Sequence, residues 1–174
     1  MRLFTSIEPP AAMQQALAQI CYGLPRIRWA PPEQLHLTLV FIGEVQPALL
    51  EPIIEQLGKI HFEPFRLECQ GLGSFRSGVL WLGVEPQPQL LALQQSLLAQ
   101  LRPLEGLRLE SRRYHPHITL GRMHRRHPPD LQHFLAEHQQ QHFSFEVDRF
   151  ELKSSVLSAE RAQHRSECSF AAQV

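Results

Sequence analysis

Apolar and polar positions along the chain repeat with two different periods, which predict strands and helices in alternation. Short apolar runs, some of period two and bounded by turn residues, indicate strands; they lie at Arg2–Ile7, 34–43, 62–69, Val79–Val84, 116–121 and 143–152. Apolar stripes at helical spacing indicate helices; they lie at 10–20, 47–57, Pro88–Leu101 and 129–138. The segments 154–156 and 169–172 add strand at the end.

The order strand–helix–strand–helix–strand occurs twice, which indicates an internal duplication. Four residues recur 81 positions later: His36, Thr38, Pro47 and Phe62 become His117, Thr119, Pro128 and Phe143. The repeat units are approximately 2–71 and 79–152, and 153–174 is a last strand segment. We therefore expect one α+β domain over 1–174 with two similar lobes related by a pseudo-two-fold axis. Two mainly antiparallel sheets would face a central cleft, with the helices outside.

The middle strand of each repeat carries a histidine and a threonine two positions apart. These pairs are His36 with Thr38 and His117 with Thr119, in a chain that has only three threonines. Because side chains alternate between the faces of a strand, each pair presents an imidazole and a hydroxyl side by side. The duplication predicts that both pairs line one cleft from opposite sides.

Two imidazoles and two hydroxyls in one cleft suit a displacement at phosphorus. Histidine titrates near pH ~6.5, so one ring can act as base while the other acts as acid. The hydroxyls of Thr38 and Thr119 would donate to the non-bridging phosphate oxygens. Arg122 would approach the phosphate from the strand end. This arrangement needs no metal and no cofactor.

Composition narrows the class of protein. The net charge is zero with neutral histidines, so no global nucleic-acid signature exists. A local basic patch, or alternatively a solvated loop, surrounds the second motif; its members are Arg108, Arg112, Arg113, Arg122, Arg125 and Arg126. Three cysteines without a CxxC spacing favour a reducing compartment. Neither a signal peptide nor a membrane span is indicated, so we expect a cytoplasmic protein without membrane contact.

Other residues near the motifs leave alternatives open. His115 shares the strand face of His117 and either extends the site or only leads into it. Tyr114 is a candidate for stacking on a ligand. Trp29 and Trp81 are interpreted as core, and the remaining histidines as surface: His61, His124, His127, His133, His138, His142 and His164. A catalytic zinc ion on His36, His115 and His117 is the metal alternative, although no carboxylate lies at ligand spacing.

The segments HLTLVFIGE, VLWLG, HPHITLGR and FELKSSVLS together resemble the 2H phosphoesterase superfamily. Within it the chain is similar to the RNA 2′,3′-cyclic phosphodiesterases, also called 2′-5′ RNA ligases. The resemblance covers nearly the whole chain. It implies the bilobal fold and metal-independent opening of a 2′,3′-cyclic phosphate to a 2′-phosphomonoester. It also implies that RNA with 2′,3′-cyclic phosphate or 2′-phosphate ends, or a nucleotide, binds to a monomer, and that a reversible 2′-5′ RNA ligase activity accompanies the hydrolysis.

The resemblance implies roles for single residues. His36 corresponds to the proton donor and His117 to the proton acceptor, whereas Thr38, Thr119 and Arg122 correspond to phosphate ligands. Ser155, in the last quoted segment, is a further candidate substrate contact. The chain departs from the family pattern at Glu160 and His164, where relatives often carry Gly and Tyr, which affects the rim of the cleft.

Two other functions compete with RNA cyclic phosphodiester hydrolysis. The same site would suit a phosphodiesterase for small cyclic nucleotides or nucleotide-sugar cyclic phosphates. A non-catalytic module that binds RNA ends is the alternative from another class. Binding alone does not require two titratable groups, so the duplicated histidines favour an enzyme.

Overall fold

A computed structural model describes residues 1–124, 126–157 and 162–173, so that Arg125 and Glu160 lie outside the described residues. It confirms the predicted α+β class. The strands are β1 Arg2–Ile7, β2 Ile27–Trp29, β3 Leu37–Glu44, β4 Phe65–Phe75, β5 Val79–Val84, β6 His117–Met123, β7 His142–Val147, β8 Arg149–Leu157 and β9 Ala162–Ala171. The helices are α1 Ala11–Ala18, α2 Leu50–Leu57, α3 Pro88–Leu101 and α4 Gln132–His138, with 3₁₀ turns at Pro32–Gln34 and Pro47–Leu49.

The strands form two antiparallel halves of one sheet. One half has the order β7-β4-β5-β6 and the other β3-β1-β8-β9, while β2 pairs with β6. The halves join where β3 meets β6, at the register pair Leu37 and Ile118. The two facing sheets expected from the sequence are thus continuous through this pair, because the histidine strands of the two repeats hydrogen-bond to each other.

The two halves of the sheet do not coincide with the two sequence repeats. β4 follows β3 in sequence, but β4 lies in the half that contains β6, where a tight hairpin joins it to β5. The interpretation of 143–152 as one strand is wrong, because the chain leaves β7 at Val147 and begins β8 at Arg149. β7 pairs with β4, whereas β8 pairs with β1. The apolar positions also change phase at Asp148, from 143, 145 and 147 to 150 and 152, which is the sequence signal of the break.

The helices cover one face of the sheet and form the core with it. α3 begins with Pro88, whose fixed φ suits the first helical turn. Its buried positions Leu90, Leu93, Leu97 and Leu101 follow helical spacing and are at most 2% exposed. Each such leucine contributes about 1.5–3 kcal/mol through burial. Because the helices cover this face of the sheet, the opposite face is the one available for a functional site. Among the described helices, none has the length and apolarity needed to cross a bilayer.

Candidate active site

The pair Leu37 and Ile118 determines which side chains form the site. Both side chains are completely buried in the core, so their strand neighbours point to the opposite face of the sheet. We call this face, which carries His36, Thr38, His117 and Thr119, the site face. Antiparallel register extended from this pair places His36 across from Thr119 and Thr38 across from His117. The structure thus brings together both motifs that the sequence singled out.

Each motif histidine is oriented by the backbone two residues before it. His36 Nδ1 donates to the carbonyl of Gln34 at 2.7 Å, and His117 Nδ1 donates to the carbonyl of His115 at 2.6 Å. The carbonyl of Gln34 is available because the 3₁₀ turn Pro32–Gln34 ends just before β3. With Nδ1 occupied as a donor, Nε2 of each ring is the atom left to exchange a proton.

The environment keeps both imidazoles neutral at pH 7. Burial is the main cause that lowers the pKa of His36 to about 4, and the charges of His164, Lys153 and His117 lower it further against the hydrogen bond to Gln34. Burial also lowers the pKa of His117, with smaller contributions from His115 and Arg122. A bound anion would oppose both shifts, because a nearby negative charge favours the imidazolium.

Arg122 reaches the site face through a β-bulge. Trp81 pairs with Thr119 and Leu80 pairs with Gly121, so Leu120 is an extra residue in β6. With strict alternation the side chain of Arg122 would lie on the sheet face opposite to that of Thr119. The extra residue in the bulge returns Arg122 to the site face. Its guanidinium is exposed and acts electrostatically on His117. Of the predicted basic patch, Arg122 therefore contributes to the site, whereas Arg112 pairs with Glu110.

Aromatic rings support His117 on one side. The ring of Phe75 lies edge-on against His117 with centroids 4.9 Å apart, and Trp81 contacts both His115 and His117. The interpretation of Trp81 as core is wrong, because its half-buried ring lies on the site face. The buried Trp81 Nε1 has no hydrogen-bond partner among the described residues. His115 is exposed and lies beside His117, which keeps it a candidate substrate contact.

Tyr114 joins the two motifs. Its hydroxyl donates to the backbone carbonyl of Thr38 at 3.1 Å. Burial raises the pKa of the phenol above its usual value, so that the hydroxyl keeps its proton. The ring of Tyr114 is half-buried, and its contact with a ligand stays a prediction. The sequence offered no sign of the hydrogen bond to Thr38, which spans 76 positions.

His164 lies in the site, contrary to its interpretation as a surface residue. Its ring contacts His36 with centroids 5.0 Å apart. β8 brings further groups to the site face, since Ser155 pairs in register with His164 and Lys153 pairs with Phe4. Lys153 is 7% exposed and forms an ion pair with Glu8. The sequence signal for this region was the departure from the family pattern at His164.

The zinc alternative requires three side chains whose ligand atoms converge on one point. Among the described residues, no group of three or more His, Cys, Asp or Glu side chains is arranged to hold a metal ion. On the site face, Nδ1 of His36 and of His117 donates to a backbone carbonyl, which leaves Nε2 as the free atom of each ring. The donor set of the site is thus two imidazole Nε2 atoms, two hydroxyls and a guanidinium, which suits a phosphate group.

The fold and the site define a two-lobed protein in which each lobe supplies one histidine–threonine pair to a shared site. A family model described as the 2′-5′ RNA ligase superfamily matches residues 7–156. The chain belongs to this superfamily, which confirms the resemblance seen in the sequence.

Individual relatives agree with this assignment. The RNA 2′,3′-cyclic phosphodiesterase of Archaeoglobus fulgidus is 31% identical over 166 residues, which cover 91% of this chain and 93% of the relative. The protein of the same name from Escherichia coli K12 is 34% identical over 130 residues, covering 70% and 71%. The crystal structure of E. coli LigT complexed with 3′-AMP matches with a TM-score of 0.82 at 28% identity, covering 99% of this chain and 98% of that chain.

Proposed function

We propose that this protein hydrolyses RNA 2′,3′-cyclic phosphodiester ends to 2′-phosphomonoesters by general acid–base catalysis. The observation that carries the proposal is the register of β3 and β6, which sets two imidazoles with proton-exchanging Nε2 atoms beside two hydroxyls on one face. The curated relatives are named for this reaction, and they share the fold along most of their length.

The reaction divides between the two imidazoles. His117 Nε2 takes a proton from water, and the water oxygen forms a bond to phosphorus. The bond between phosphorus and the 3′ oxygen breaks, and His36 Nε2 gives its proton to that oxygen. His117 ends protonated and His36 neutral, so one proton exchange with solvent resets the site. The same steps would form a 2′-5′ linkage if the 5′ hydroxyl of a second RNA took the place of water, with the 3′ oxygen again as the leaving group.

The phosphate needs donors that do not transfer protons. The hydroxyls of Thr38 and Thr119 donate to the non-bridging oxygens, and Arg122 neutralises the charge that develops there. This anion also raises the low pKa of His36, so that the donor carries its proton in the substrate complex. His115 and Ser155 lie at the rim, where they would contact the adjoining nucleotide.

The cell context is part of the proposal. The three cysteines of the chain are unpaired, which suits a reducing cytoplasm. We propose a monomer, because each half of the sheet already supplies its part of the site. The preferred partner is an RNA end rather than a free nucleotide, although LigT of E. coli has been crystallised with 3′-AMP and with ATP.

Product analysis on an RNA oligonucleotide with a 2′,3′-cyclic phosphate end tests this function. We expect a 2′-phosphate product, no effect of EDTA, and a lower kcat/KM on the corresponding mononucleotide. His36→Ala and His117→Ala should each lower the rate by ~10²–10⁴-fold, whereas the exposed His133→Ala on α4 should not. A loss below about tenfold in both variants, or a 3′-phosphate product, would overturn the proposal.

A further inference from the structure

Three rings form a cluster at the end of the site that carries His36. The imidazoles of His36 and His164 meet nearly perpendicular, at 82°, with centroids 5.0 Å apart. Both rings also pack against Phe4, at 5.0 Å each. Phe4 is 4% exposed and belongs to β1, between β3 and β8. The three rings therefore form a triangle in which His36 packs against both a buried phenyl ring and a second imidazole.

Positive charge surrounds this cluster from several elements. The ammonium group of Lys153 in β8 lowers the pKa of both His36 and His164. The carboxylate of Glu8, its ion-pair partner, acts in the opposite direction on the pKa of His164. From the other half of the sheet, Arg122 lowers the pKa of His164 and His117 lowers the pKa of His36. A second proton placed in the cluster would thus add to an existing cationic field. The Nδ1 atom of His164 is buried and has no hydrogen-bond partner among the described residues.

We propose that His164 is a positioning residue for His36: its ring fixes the orientation of the His36 imidazole, and a proton on His164 opposes a proton on His36. Two unit charges 5 Å apart in a partly buried site repel each other by the equivalent of roughly one pKa unit. The pair then holds one proton rather than two at moderately acidic pH.

The consequence for the reaction rests on the proposed function. His164 takes up the first proton as the pH falls, since its charge lowers the pKa of His36, whereas the pKa of His164 is set by burial, Lys153, Glu8 and Arg122. A proton that comes to His164 makes His36 a stronger acid, and a stronger acid passes its proton on more readily. The neighbour at position 164 thereby sets the pH range over which this site works.

Imidazole titration by NMR, with His164→Gln and His36→Gln, tests the coupling directly. In His164→Gln the midpoint of His36 should rise by about one pH unit. In His36→Gln the midpoint of His164 should stay nearly unchanged, because His164 takes its proton while His36 is still neutral. His133→Gln, on the exposed side of α4, is the matched control and should leave both midpoints unchanged.

Kinetics add a readout that a purely structural role would not move. The acidic limb of the pH profile of kcat/KM on the cyclic-phosphate oligonucleotide should shift upward in His164→Gln by the same amount as the NMR midpoint of His36, because His36 has the lower pKa of the two motif histidines. An unmoved His36 midpoint in folded His164→Gln would overturn the inference. The NMR titrations need no substrate, so they decide this coupling even if the wild type fails to open the cyclic phosphate.

Discussion

The hydroxyl of Tyr114 donates a hydrogen bond to the backbone carbonyl of Thr38 at 3.1 Å. This bond connects the segment that precedes the second motif to a residue of the first motif. The two residues lie in different repeats and 76 positions apart. Because Thr38 is itself a candidate phosphate ligand, this bond connects the stability of the fold to the geometry of the site. It is a direct side-chain link between the two lobes at the point where they share their function.

Loss of the Tyr114 hydroxyl should weaken this link. Tyr114→Phe leaves the half-buried carbonyl of Thr38 without its donor, so the free energy of unfolding should fall by about 1 kcal/mol. We expect a several-fold decrease in kcat/KM, since the strand that carries Thr38 becomes less well fixed. Urea denaturation and steady-state kinetics measure the two effects. Tyr22→Phe is the matched control because Tyr22 is 64% exposed; equal effects of both substitutions would contradict this account.

The pH profile of kcat/KM should be bell-shaped and lie on the acid side. Burial holds the pKa of His36 at about 4 and lowers that of His117 below 6.5. Activity needs one ring protonated and the other neutral, so the rate falls below the lower pKa and above the higher one. The maximum of kcat/KM for the free protein therefore lies below pH 6.5, whichever histidine is the acid. A maximum above pH 7 on the cyclic-phosphate oligonucleotide would contradict the burial argument.

Folding stability should also depend on His36. Its folded pKa of about 4 lies below the ordinary histidine value near 6.5, so the unfolded chain binds a proton first as the pH falls. The contribution of His36 is thus fully present above pH ~6.5 and is lost progressively between 6.5 and 4. His36→Gln should show a flatter dependence of the free energy of unfolding on pH in this window than the wild type or His133→Gln. Parallel curves for all three proteins would refute this assignment.

Arg122 should act on the substrate rather than on the fold. Its exposed side chain reaches the site face only because of the bulge at Leu120. Arg122→Gln should lower kcat/KM by roughly 10–100-fold, since a charge-assisted contact to a phosphate contributes about 1.5–3 kcal/mol. The melting temperature should change little. Arg149→Gln, which removes an exposed arginine paired with the adjacent Asp148, should leave kinetics unchanged; an equal loss there would argue against a specific role for Arg122.

Gly73 makes room for the aromatic wall behind His117. A Cβ atom at position 73 would overlap the ring of Trp81, which packs against His115 and His117. Gly73→Ala should therefore cost about 1–3 kcal/mol of stability and reduce activity as Trp81 shifts. At Gly58 a Cβ would meet backbone at 3.4 Å or more, so Gly58→Ala is the control and should leave activity unchanged. Calorimetry and the fluorescence of Trp81 report the difference.

The sequence by itself determined the element types and the four residues at the centre of the site. Hydrophobic periodicity is local, and it marked the strands β1 and β5 and the helix α3 at their observed bounds. The duplicated spacing of His36 with Thr38 and of His117 with Thr119 placed the two members of each pair on one face of their own strand, because strand alternation is also a local property.

Only the tertiary structure decided what surrounds these residues. The pairing of Leu37 with Ile118, the bulge that turns Arg122 toward the site and the contact of His164 with His36 all depend on strands distant in sequence. A strand's apolar pattern states which face is buried, but it does not state which neighbour it pairs with or where an extra residue is inserted. For that reason the sequence identified the chemistry of this site, and long-range packing set the environment that tunes it.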